Sequence, residues 1–71
     1  MMPLLYSIKG EQKIISDFKC NEDMKRHLRD LGFVPGETVK IVGENASGLI
    51  LIVKGVRLAL NRALASKIMV Q

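Results

Sequence analysis

The sequence predicts a mainly β domain with one α-helix, folded as a small closed or nearly closed barrel. Three observations support this prediction. The apolar spacing changes from helical to alternating within one stretch, from Leu28 to Val42. Five short segments have the composition of strands, and most of them are separated by tight-turn residues. Because closure removes exposed strand edges, a barrel is the favoured arrangement for so many short strands.

The first strand and the helix lie in the N-terminal half. Residues 11–18 follow Gly10, carry two isoleucines at their centre and predict a strand. Residues 21–31 predict the helix, with Asn21 as the N-cap and two acidic residues in the first turn, where the helix dipole favours negative charge. Its apolar stripe repeats at helical spacing and consists of Met24, Leu28 and Leu31.

Two consecutive signals end this helix and direct the chain into a strand. Gly32 is expected in a left-handed conformation just after the helix, where a glycine has no Cβ penalty. Phe33 is then placed to contact Leu28, as in a Schellman motif. Pro35 and Gly36 next take the central positions of a type II turn, since Pro fixes φ and Gly supplies a positive φ.

The second half predicts strands separated by short turns. The apolar run after Gly48 is apolar on both faces, which indicates a strand that is covered on both sides. Lys54 and Gly55 predict a tight hairpin turn. The predicted segments are a strand over 38–42, a loop over 43–48, strands over 49–54 and 56–60, a helical turn over 61–66 and a strand over 67–70.

Length and composition indicate one small domain over residues 1–71, in which 48% of the residues are hydrophobic. Cys20 is the single cysteine, which excludes an internal disulfide and fits a reducing cytoplasm. No apolar run approaches the roughly 20 residues that a spanning helix needs. The N-terminal stretch lacks the basic region of a signal peptide. We therefore expect a complete, cytoplasmic chain.

The charge balance is basic, with 11 Lys and Arg against 7 acidic residues and a net charge of +4. Such a surface favours an anionic partner, which could be nucleic acid, an acidic protein face or the inner leaflet, although a modest excess also serves solubility. A small basic barrel that binds nucleic acid is the alternative function. Those proteins stack bases on aromatic rings, and this chain has only three: Tyr6, Phe18 and Phe33. We therefore do not expect nucleic acid as the partner.

No residue pattern indicates an enzyme, and we predict no catalytic residue, no cofactor and no metal site within one chain. His27 is the single histidine, and one histidine without neighbouring ligands does not build a zinc or iron site. The acidic residues at the helix entry are ordinary for a helix start. A metal bridged between two chains stays open, and its candidate ligands are His27, Cys20 and Asp23.

The pattern Leu28-x-x-Leu31-Gly32-x-x-Pro35-Gly36-x-x-Val39 and the tail "GVRLALNRALASKIMV" resemble the FeoA family. These are small cytoplasmic proteins of bacterial ferrous iron uptake, and the resemblance covers residues 4–70. It implies an SH3-like barrel and a non-enzymatic accessory protein that works with FeoB, a membrane transporter with a cytoplasmic G-domain. It carries over no metal site, and transition metal ion binding is implied for the family only.

The candidate partner-binding surface is the exposed helix face formed by Lys25, Arg26 and Arg29, with Val34 in the following turn. The three cations span about 100° of the helix exterior. We expect this face to dock an acidic surface of the transporter's soluble domain or to lie near anionic lipid, with the membrane reached only through the partner. Plain solvated side chains are the alternative interpretation. The apolar excess also makes weak self-association an open expectation.

Overall fold

A computed structural model describes the whole chain, residues 1–71. It contains six strands, a main helix, a short second helix and one 3-10 turn, so the predicted mainly β class with one main helix is confirmed. In chain order the elements are β1 (Met2–Pro3), the 3-10 turn (Leu4–Tyr6), β2 (Gln12–Phe18), α1 (Glu22–Asp30), β3 (Thr38–Asn45), β4 (Gly48–Val53), β5 (Val56–Asn61), α2 (Arg62–Ala65) and β6 (Ile68–Val70).

The six strands form one antiparallel sheet in the order β1-β6-β2-β3-β4-β5. β1 and β5 are the two ends of this order, and no ladder joins them, so hydrogen bonds do not close the sheet. The sheet has six strands where the sequence predicted five, because β1 has only two residues and cannot show an alternating pattern. β4 lies between β3 and β5, as its apolar run predicted.

A single hydrophobic core joins the sheet to both helices and to the 3-10 turn. Every element except β1 contributes at least one buried side chain to it. Its fourteen members are Leu4, Ile15, Phe18, Leu28, Phe33, Val39, Ile41, Leu49, Leu51, Val53, Leu60, Ala65, Ile68 and Val70. The helix stripe enters the core through Leu28, whereas Leu31 remains 38% exposed at the surface.

The predicted end of α1 is confirmed in detail. Gly32 has a φ of +104°, in the left-handed region. The Phe33 N–H donates to the Leu28 carbonyl at 3.0 Å, and the Gly32 N–H donates to the Arg29 carbonyl at 2.9 Å. These are the two bonds of a Schellman motif. Both Leu28 and Phe33 are fully buried, so the corner is part of the core.

The turn that follows is also confirmed. Gly36 has a φ of +90°, and the Glu37 N–H donates to the Val34 carbonyl at 3.0 Å, as a type II turn requires. The Gly36 N–H donates to the Ile15 carbonyl at 2.8 Å. This bond ties the turn to β2 at the point where β3 begins.

The loop predicted over residues 43–48 is wrong, because β3 continues to Asn45. The register steps from Ile41 opposite Leu51 to Gly43 opposite Ile50, which leaves Val42 as an extra residue. A bulge of this kind shifts the alternation by one position, so the strand pattern stops early in the sequence.

Glu11 fastens the segment before β2. Its carboxylate accepts a hydrogen bond from the Ile8 N–H at 2.7 Å and lies 3.2 Å from the Lys13 ammonium. The Ile8 N–H, and secondly Lys13, lower the pKa of Glu11 below its ordinary value, because both stabilise the charged form.

Candidate interaction groove and basic helix face

A groove of about 310 Å³ opens between α1, the β3–β4 hairpin, β5 and α2. Half of its lining is apolar, namely Leu31, Leu49, Ala59, Leu60 and Leu64. The other half consists of His27, Asn45, Ser47, Gly48 and Asn61. A lining of this mixed kind can bury one apolar group while a few polar groups fix its orientation.

The floor of the groove depends on Gly48. A Cβ at this position would lie 2.8 Å from the Asn61 Cα and still closer to the Leu60 carbonyl oxygen. Both are backbone atoms that cannot move aside alone. Gly48, which lines the groove, therefore allows β4 and β5 to approach each other closely.

One wall of the groove is an unpaired strand edge. The sequence predicted a tight hairpin turn at Lys54 and Gly55, and their φ values of 51° and 76° make it a two-residue type I′ turn. Val56 opposite Val53 is then a hydrogen-bonded pair, and such pairs alternate along an antiparallel ladder. Arg57 and Ala59 consequently direct their N–H and C=O groups away from β4, to the free edge.

The polar lining is rich in hydrogen-bond donors. The Asn45 side-chain oxygen accepts from the N–H groups of Ser47 and Gly48, at 2.8 and 3.0 Å. The Asn61 oxygen accepts from the Leu64 N–H at 2.8 Å and caps α2. Both carboxamide oxygens are therefore occupied, whereas the two Nδ2 groups make no hydrogen bond within the chain. The remaining capacity of these asparagines is therefore mainly donation through Nδ2.

Two arginines flank the same edge without an ion-pair partner. Arg57 lies on β5 and Arg62 begins α2, and both are exposed. The ion pairs of the chain lie elsewhere, at Lys13–Glu11, Lys25–Glu22 and Arg26–Asp23. The β5 side of the groove is therefore positively charged.

The basic helix face predicted from the sequence lies on another side of α1. At about 100° per residue, Lys25 and Arg29 lie roughly opposite His27 and so point away from the groove. Lys25 is 3.5 Å from Glu22 and Arg26 is 3.7 Å from Asp23, which offsets two of the three charges. Arg29 has no such partner. Partner binding by this face, including the half-buried Val34, stays a prediction.

The residues considered for metal binding do not meet within one chain. His27 is exposed at the groove, Cys20 is half-buried against the core, and Asp23 pairs with Arg26. No three side chains of the His, Cys, Asp or Glu type are grouped closely enough to hold a metal ion.

The aromatic rings are dispersed. Phe18 and Phe33 belong to the core, with 7% and 0% exposure, while Tyr6 is 67% exposed beside the N-terminal turn. No helix is long and apolar enough to cross a bilayer.

The groove was missed by sequence reasoning because its walls come from distant segments. His27 and Leu31 come from α1 and its C-cap, and the other lining residues come from the β3–β4 hairpin, β5 and α2. Two local signals point to it. Asn45 and Gly48 form a side-chain-capped hairpin, and Asn61 is a helix N-cap directly after a strand.

Nearly the whole chain matches a single protein family. A family model described as the FeoA domain matches residues 2–71. A protein of Methanocaldococcus jannaschii, provisionally described as Fe(2+) transport protein A, is 30% identical over 71 residues, which cover 100% of this chain and 87% of that protein.

Solved structures agree with the fold. A crystal structure of a FeoA described as an iron uptake regulatory protein superposes with a TM-score of 0.92 at 27% identity, over 99% of this chain and 93% of that one. The FeoA of Stenotrophomonas maltophilia, solved with zinc, has a TM-score of 0.72 at 28% identity, over 94% and 87% of the two chains. That protein is described as an SH3-domain protein and a candidate activating factor of ferrous iron transport. The SH3-like fold implied by the resemblance is thereby confirmed.

Proposed function

Since this chain belongs to the FeoA family, we propose that it is a non-enzymatic accessory protein of ferrous iron uptake. It acts in the cytoplasm by binding the soluble domain of a FeoB-type membrane transporter. The description of the S. maltophilia relative as a transport-activating factor supports this role.

The observation that carries the proposal is the groove beside the free edge of β5. It combines an apolar cavity, unpaired backbone groups and unused side-chain donors in one place. These are the features of a protein-binding surface, because each can be satisfied by a partner chain without any covalent chemistry. The groove is therefore the first candidate for the contact with the transporter.

The basic helix face is the second candidate contact. Reversing two of its charges, with Arg26→Glu and Arg29→Glu, tests it against the groove. If that face docks an acidic surface, the double variant weakens binding, and the loss grows at low ionic strength because surface charges are screened by salt. Unchanged affinity and unchanged iron uptake would remove this face from the proposal.

The test of the function is a titration of the full chain against the transporter's cytoplasmic domain, without nucleotide, with GDP and with a non-hydrolysable GTP analogue. We expect saturable binding to at least one nucleotide state. A structured RNA serves as the control, and binding to it should be weak and fall steeply with salt. Salt-sensitive binding to RNA with no binding to the domain would contradict the proposal and support the nucleic-acid alternative.

A further inference from the structure

We infer that the groove binds an extended peptide segment that bears carboxylates and adds to the edge of β5 as a further strand. This inference deepens the proposed function and rests on it for the identity of the partner. Three features of the groove define the chemistry of the ligand: the unpaired backbone of β5, the apolar side chains of the lining and the positive charge beside the edge.

The backbone geometry of β5 allows a further strand to be added at its edge. Arg57 and Ala59 present N–H and C=O groups in the plane of the sheet, and Ala59 lines the groove. A peptide placed about 4.8 Å from β5 would pair with these groups as the next strand of the ladder. Main-chain bonds of this kind hold peptides on other sheet edges regardless of their side chains.

The opposite wall limits what can enter. His27 of α1 and Leu31, the C-cap residue of that helix, line the same groove as Ala59, Leu60 and Asn61, so the helix end bounds the space beside the edge. A single extended chain needs only one strand spacing, about 4.8 Å, beside β5. The sheet of a second copy would bring further strands to the position that α1 occupies. The groove therefore suits a peptide segment better than another β5 edge.

The leucines that line the groove favour apolar side chains in the bound peptide. Leu31 is 38% exposed, Leu64 is half-buried, and both line the cavity with the buried Leu49 and Leu60. Because side chains of a strand alternate in direction, every second residue of an added peptide points to the same face. An apolar residue at such a position can cover these leucines.

The positive charge beside the edge favours acidic residues in the bound peptide. Arg57 and Arg62 are unpaired cations at the two ends of the edge, and the free Nδ2 groups of Asn45 and Asn61 are donors only. Carboxylates and carbonyl oxygens are the complementary acceptors. Asp30 is exposed, lies about 60° around the axis of α1 from His27 and does not line the groove. Acidic peptide residues are therefore expected on the β5 side of the groove.

The direct test is an NMR titration of the full ¹⁵N-labelled chain with a blocked heptapeptide of alternating glutamate and valine. The matched control peptide replaces each glutamate with lysine. We expect amide shifts at residues 57–61 and 45–48 and an affinity about tenfold higher for the acidic peptide. Methylating the peptide's backbone nitrogens should abolish the shifts. No shift at millimolar peptide, or equal binding of both peptides, would overturn the inference.

A pair of variants isolates the strand edge. Ala59→Pro removes the N–H at an edge position where proline is tolerated, and Ala59→Thr retains it. We expect the proline variant to keep a dispersed spectrum and to lose at least about tenfold more peptide affinity than the threonine variant, which keeps the N–H. Equal binding by the proline and threonine variants would rule out strand addition.

Reversing charges at the edge provides a second test of the inference, and this test does not require the proline variant to fold. Arg57→Glu with Arg62→Glu should shift the preference toward the lysine peptide. Arg29→Glu, on the far side of α1, should leave it unchanged. An unchanged preference in the double variant would contradict the charge argument.

The same variants separate this inference from the proposed function. If the parent binds the transporter domain and Ala59→Pro binds it equally well, the inference fails and the proposed function stands. If the parent binds the acidic peptide but not the transporter domain, the proposed function fails, and the inference that the groove binds an acidic peptide is kept. A parent dimer that Ala59→Pro dissociates would identify a second copy as the occupant and overturn the peptide assignment.

Discussion

The corner after α1 and the edge of β5 differ in how completely they use their own backbone. At the corner, the N–H groups of Gly32 and Phe33 are both bonded to helix carbonyls, and Phe33 is fully buried. On β5, Arg57 and Ala59 leave their backbone groups unpaired, and Val56 is 58% exposed. The N–H groups of Gly32 and Phe33 at the corner are thus used within the chain, whereas the edge has unpaired backbone groups, exposed apolar side chains and free donors together.

This difference assigns different roles to the two regions. Short-range signals fix the corner, and changes there should cost stability. The edge contributes less to the core, and changes there should cost binding. The comparison would be wrong if substitutions at the corner mainly reduced binding, or if substitutions at the edge mainly reduced stability.

The largest expected effect is at the corner. Phe33→Ala removes a fully buried ring and should lower the free energy of unfolding by about 3–5 kcal/mol. The total for a small domain is only roughly 5–15 kcal/mol, so we expect a large part of this stability to be lost, and urea denaturation measures the loss. Val56→Ala, at an exposed site, is the matched control and should cost less than about 0.5 kcal/mol. Similar costs at both positions would refute the assigned difference.

The groove floor should show the next effect. Gly48→Ala places a methyl group against the backbone of Leu60 and Asn61, and overpacking of this kind costs about 1–3 kcal/mol or more. Gly43→Ala is the control, because its Cβ would meet only Ile50 side-chain atoms at 3.8 Å or beyond. Chemical denaturation of both variants measures the contrast. If Gly48→Ala is as stable as Gly43→Ala, β4 and β5 do not approach as closely as described.

A smaller effect is expected from the helix stop. Gly32→Ala must adopt a positive φ, which costs about 1–2 kcal/mol. Gly10, with a φ of +94° and open space around it, provides the comparison. The Cβ at Gly32 would make only an ordinary contact with Val53 at 3.7 Å, so both alanine variants should lose similar stability. A much larger loss at Gly32 would show that packing, rather than φ, requires glycine there.

The smallest expected effect is a change with pH in the contribution of Glu11 to stability. The lowered pKa of Glu11 means that its contribution is present above its ordinary value, about 4.3, and is lost as the pH falls through the folded-state pKa. Glu11→Gln should therefore be slightly less stable than the parent at pH 6, with the difference shrinking toward pH 3. Thermal melts at both values check this. A difference that stays the same at pH 6 and pH 3 would contradict this account.

Most of the fold was predictable because its signals are local. The N-cap at Asn21, the stop at Gly32 and the turn at Lys54 each depend on neighbours within a few residues. β3 was predicted too short because the extra residue Val42 shifts the alternation. β1 was missed because two residues carry no period.

The candidate site was not predictable for a different physical reason. Leu31 and Leu64 appear as ordinary stripe and turn residues in the sequence, and only the folded chain places both beside Ala59. An unpaired edge is a property of sheet order, which local patterns do not specify. The basic helix face, in contrast, could be identified by helical spacing alone, and its role as a contact stays a prediction.

The measurement that tests the central claim most directly maps the contact on the full ¹⁵N-labelled chain while the transporter's cytoplasmic domain is added. We predict that the amides of residues 57–61 shift or broaden first, and that those of Gly32 and Phe33 remain unchanged. Saturable binding with changes confined to residues 25–29 and Val34 would instead place the contact on the basic helix face. That result would contradict the claim that the β5 edge is the working surface of the molecule.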